Sequence, residues 1–192
     1  HDAVGVGSPI AYDGLICWMS HAVQLPDAPD AQPKLLWELD ADAMGRLTKH
    51  NYAPKDEPAK PFSPRGMGWH GYGSPVKEGA YVYYHHEGTM YSAVEALTGK
   101  WAYTKNLAFT RPKSRRGGCG GQVYPTLTFA GGYIFATGGE GGTLVIRPGR
   151  EEDFEVVSEN LLAPLGGNML VFHGDQMFVH VKDQLLCIGQ AK

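Results

Sequence analysis

Histidines are the first residues of this chain to test for chemistry, because clustered imidazoles bind zinc or copper and move protons. His85 and His86 are adjacent and followed by Glu87, and His70 lies in Gly68-Trp69-His70-Gly71-Tyr72-Gly73. Neighbours on a strand point to opposite faces, so His85 and His86 do not share a metal unless the chain bends. No His-x-His occurs, and His173 and His180 stand seven residues apart across a turn. The histidines therefore read as structural or solvated. Two glycine clusters, Gly117-Gly118-Cys119-Gly120-Gly121 and Gly138-Gly139-Glu140-Gly141-Gly142, have the composition of phosphate cradles. A phosphate loop leads into a helix N-terminus and carries Lys-Ser or Lys-Thr. The second cluster leads instead into Thr143-Leu144-Val145-Ile146, a strand, and reads as a hairpin turn. Cys119 in the first cluster has no basic residue nearer in sequence than Arg116, a weak setting for a reactive thiol.

Arg111, Lys113, Arg115 and Arg116 put four cations within six residues. Such a run binds an anion or an acidic partner, although a solvated loop is its commoner meaning. With Trp69 and His70 these four form the candidate contact residues for a partner or ligand. The chain has neither the Cys-x-x-Cys-His of haem attachment nor a serine nucleophile elbow. No catalytic residue is assigned, and no metal site.

The elements that must position these residues are strands. Charged residues make up 19% of the 192, against a usual share of roughly a quarter, while 26 are glycine, 13 proline and 10 tyrosine. Glycine and proline disfavour helix interiors, and aromatic residues favour strands. A net charge of −3 gives no reason to expect nucleic acid. Cys17, Cys119 and Cys187 are too few and too scattered for a disulfide framework or a zinc site. No apolar run approaches the roughly 20 residues of a membrane helix, and no signal peptide is expected in the stretch that begins at His1.

One grammar repeats along the chain. Its clearest copy runs Gly73-Ser74-Pro75-Val76, a turn at Glu78-Gly79, and Ala80-Tyr81-Val82-Tyr83-Tyr84. After Glu87-Gly88 come Thr89 to Val94, then Leu97-Thr98-Gly99-Lys100 and Trp101-Ala102-Tyr103. Shorter matches begin at Gly7-Ser8-Pro9-Ile10, Tyr124-Pro125-Thr126-Leu127 and Asn168-Met169-Leu170-Val171. Pro9, Pro75, Pro125 and the equivalent Met169 are 66, 50 and 44 residues apart. Repeats of roughly 40–50 residues with four strands each are the signature of β-propeller blades.

In register with this grammar, Ala93, Glu95, Thr98, Gly99 and Tyr103 match the tryptophan-docking motif Ala-x-Asp-x-x-Thr-Gly-x-x-x-Trp. The chain thereby resembles the PQQ-like, quinoprotein alcohol dehydrogenase-like propeller repeat family. Glu95 replaces the motif's aspartate and Tyr103 its tryptophan. In the first blade Trp37 is the surviving docking aromatic, and the third, read from Val145 to Phe154, keeps Gly149 without the threonine. The resemblance implies that a large ring closes each blade against the next, burying apolar area where two sheets meet.

The expected fold is all-β: about four blades of four antiparallel strands, at 7–40, 70–116, 117–165 and 166–192, with 41–69 as an inserted loop. That loop carries Pro54, Pro58, Pro61 and Pro64, and loops of this length are commonly functional or disordered. The last blade lacks its outer strand, so the chain is expected to be a C-terminal portion of a seven- or eight-bladed ring. A closed four-bladed ring is the alternative. The remaining blades would come from another chain, a swapped copy or a further segment.

Function is expected to be that of a non-catalytic scaffold or binding subunit, periplasmic or extracellular as the resemblance implies, with no cofactor. Two alternatives stand beside it. One is part of a PQQ-dependent alcohol dehydrogenase, with PQQ and calcium held largely by residues outside this chain. The other is a carbohydrate- or peptide-binding propeller.

Overall fold

The computed structural model describes residues 8–18, 21–38, 74–85, 90–107, 126–137, 142–161, 170–181 and 183–189. The chain divides into two compact units, His1–Leu107 and Ala108–Lys192. The first holds two four-stranded antiparallel sheets: β1 (Ile10–Tyr12), β2 (Leu15–Trp18), β3 (His21–Gln24) and β4 (Lys34–Glu38), then β5 (Val76–Glu78), β6 (Tyr81–His85), β7 (Met90–Glu95) and β8 (Trp101–Asn106). The second holds β9 (Thr126–Ala130), β10 (Tyr133–Thr137), β11 (Gly142–Arg147) and β12 (Glu155–Leu161), followed by a sheet of β13 (Val171–His173), β14 (Gln176–Val181) and β15 (Gln184–Gly189). In every sheet the strands pair in sequence order, as short connections between antiparallel neighbours dictate.

The register shows how closely the sheets repeat. Ile10, Cys17, Ala22 and Trp37 lie opposite one another across the first sheet. Val76, Tyr83, Ala93 and Tyr103 form the same row in the second. Thr128, Phe135, Val145 and Ser158 form it in the third. Val171, Phe178 and Cys187 form it in the fourth, where the described residues supply no fourth strand. In each four-stranded sheet the pairing of third and fourth strands slips at one step, after Ala22, Ala93 and Val145. A bulge at that step bends the outer strand and increases its local twist.

Side chains alternate between faces along each strand. The row just described therefore marks one face of each sheet, here the front. The adjacent row marks the back: Ile16, Val23 and Leu35, then Val82, Val94 and Trp101, then Ile134, Ile146 and Val156, then Phe172, Met177 and Ile188. Every member is apolar. Both faces of a sheet are built to be covered, which is the requirement of stacked sheets and not of a sheet with one solvated side.

Two strands departed from the expected grammar. β3 and β12 lack its aromatic residues and bounding glycines, β12 being Glu-Val-Val-Ser-Glu-Asn-Leu with an exposed surface. In the third sheet a 3-10 turn, Glu151–Asp153, lengthens the link from β11 to β12. The residue opposite Val145 is consequently Ser158, not an aromatic at Phe154.

Candidate functional site

Within the first unit, the front of sheet one meets the back of sheet two. Leu15, Cys17, Ala22 and Trp37 form one buried cluster with Val82, Tyr84, Val94 and Ala96. At the outer end the indole N–H of Trp37 donates to the Ala96 carbonyl at 2.8 Å, across 59 residues of sequence. The ring lies against Gly99, where a β-carbon would sit 2.6 Å from Trp37 Cγ and 2.8 Å from its Cδ2. Gly99 also has φ of +71°, so both its backbone and its neighbour require the absence of a side chain.

The turn that carries Gly99 is stitched internally. Thr98 Oγ1 donates to Glu95 Oε2 at 2.7 Å and accepts from the Lys100 N–H at 3.2 Å. Backbone bonds run from Glu95 N–H to the Lys100 carbonyl and from Gly99 N–H to the Glu95 carbonyl, each 2.9 Å. Ala96 N–H donates to the Ala80 carbonyl, tying the turn to the hairpin before β6. The Thr-Gly pair thus presents a hydrogen-bonded seat without a side chain at Gly99, and the glutamate that replaces aspartate still accepts from the threonine hydroxyl.

The inner end of the same junction is polar. Lys77 Nζ lies 4.1 Å from the centre of the Tyr12 ring and 3.8 Å from Asp13 Oδ2, and it donates to the Gly79 carbonyl at 3.0 Å. Asp13 and Gly14 both have positive φ, the two-residue hairpin geometry that holds Tyr12 and Asp13 at the loop. Burial pushes the Cys17 thiol above its ordinary pKa, partly offset by the Lys77 charge. Such a thiol stays protonated and poorly nucleophilic at neutral pH.

On the front of sheet two, tyrosines cluster. Tyr83 stacks on Tyr91 at 5.6 Å and 19°, and Tyr91 meets Tyr103 at 6.3 Å. All three are buried. Burial first, then Tyr103 and Tyr83, push the Tyr91 phenol well above its usual range; burial does the same at Tyr84. Neutral phenols among aromatic rings are packing groups and do not act as bases at physiological pH.

In the second unit Phe135, on the front of sheet three, meets Phe172 on the back of sheet four, with ring centres 4.7 Å apart. Leu170, Val179, Met177 and Leu186 complete that cluster, and Thr128 Oγ1 donates to the Leu170 carbonyl at 3.2 Å. The front of sheet four is different. Val171 is 54% exposed, Leu185 69%, and Cys187 is exposed and in no disulfide.

The expected site residues fall into two groups. Trp37, Ala93, Glu95, Thr98, Gly99 and Tyr103 are placed as above: Trp37 contacts the Glu95–Gly99 turn, and Ala93 faces Tyr103 within sheet two. Ala96 and Lys77 were not singled out from the sequence; the Ala96 contribution is a backbone carbonyl, which no residue pattern marks. Trp69, His70, Arg111, Lys113, Arg115, Arg116, Cys119 and the 41–69 loop lie outside the described residues. Among the described residues no group of three or more His, Cys, Asp or Glu side chains converges as a metal site requires. No described helix is long and apolar enough to cross a membrane.

No family model matches the chain, and no curated protein matches it. Among solved structures it is similar to BamB from Moraxella catarrhalis, with a TM-score of 0.52 and 12% identity over 97% of this chain. The chain spans 44% of the length of that structure. At this identity the likeness bears on the fold alone. Together with four antiparallel sheets of four, four, four and three strands, it gives an all-β chain of propeller blades.

Proposed function

We propose that this chain is a non-catalytic propeller module, a scaffold or binding subunit making protein–protein or ligand contacts within a larger assembly. The remaining blades come from another chain, a swapped copy or a further segment of polypeptide. One observation carries the reading: the front of the fourth sheet exposes Val171 and Leu185, whereas the fronts of the first and third pack on a following sheet. Apolar surface of this kind marks an interaction site.

The proposed blade limits, 7–40, 70–116, 117–165 and 166–192, are supported by the four sheets, each of which falls within one of them. Trp37 is on this reading a docking residue, with the Glu95–Thr98–Gly99 turn as its seat. Ala93 and Tyr103 are the corresponding pair one blade on. No cofactor enters the reading, and a periplasmic or extracellular setting goes with it.

Native mass spectrometry of the purified protein, followed by release of components under denaturing conditions, tests the proposal. Polypeptide mass beyond 20.9 kDa, and no reduction of an artificial dye by alcohols, are expected. A bare chain of that mass with nothing bound overturns it, as does alcohol-driven dye reduction with quinone among the released species.

A further inference from the structure

We draw no further inference here: the strongest candidate, the front of the fourth sheet with Val171 and Leu185 exposed beside the unpaired edge of β15, is an apolar face for which nothing in the structure shows what covers it.

Discussion

Trp37 and Gly99 depend on each other more than on anything near them in sequence. Trp37→Ala removes a buried indole and should cost about 3–5 kcal/mol in a denaturant titration. Gly99→Ala should cost roughly 1–2 kcal/mol for its left-handed backbone, and about 1–3 kcal/mol more for driving a β-carbon into the indole. In the Trp37→Ala background the second contribution should vanish, so the double-mutant cycle should show coupling of about 1–3 kcal/mol. Additive losses would show that the ring does not rest on the glycine. The thiols differ for an equally local reason. Cys17 is buried with a raised pKa, whereas Cys187 is open to solvent. A thiol reagent at neutral pH should therefore modify Cys187 quickly in the native protein and Cys17 only on unfolding, as peptide mass mapping would reveal.

At the scale of the sheet, the repeated unit is a cross-strand row with a bulge beside it, and its chemistry varies from blade to blade. The fourth member is Trp37, then Tyr103, then Ser158. The junction from blade one to blade two is consequently held at its outer end by an indole and at its inner end by Lys77. The junction from blade three to blade four relies on Phe135 and Phe172. The second sheet also carries a pH dependence. Tyr84 and Tyr91 ionise near their ordinary value of about 10 when unfolded, but their folded values are raised by burial. The folded state thus holds protons that the unfolded state releases. Their contribution is fully present below about pH 10 and is lost as pH rises above it. Unfolding free energy should fall steeply there, and Tyr84→Phe should make the fall shallower. An unchanged slope would mean that the phenol ionises equally in both states.

For the molecule as a whole, protection against amide hydrogen exchange should follow how each strand is enclosed. The inner strands β6, β7, β10 and β11 are paired on both sides, and their buried residues include Val82, Val94, Ile134 and Ile146. They should exchange slowest. β15, at the edge of a three-stranded sheet with an exposed front, should exchange faster than β14, which is paired on both sides. Slow exchange throughout β15 would indicate that another strand already covers its edge. The blade grammar was legible in the residues because its signals are local: a hairpin glycine and an alternating strand are complete within about a dozen positions. β3 and β12 were not legible, β3 because its His-Ala-Val-Gln carries neither an aromatic nor a bounding glycine, and β12 because its exposed side chains bury too little to impose that alternation. The match of Ala93, Glu95, Thr98, Gly99 and Tyr103 to a docking motif was visible in sequence. The seating of Trp37 on Gly99 and on the Ala96 carbonyl was not, because it joins residues about 60 apart through the meeting of two sheets. By itself the sequence determined strands, turns and their repetition. Tertiary structure decided which faces are covered and which aromatic rests on which turn, since burial belongs to a pair of surfaces and cannot be read from either alone.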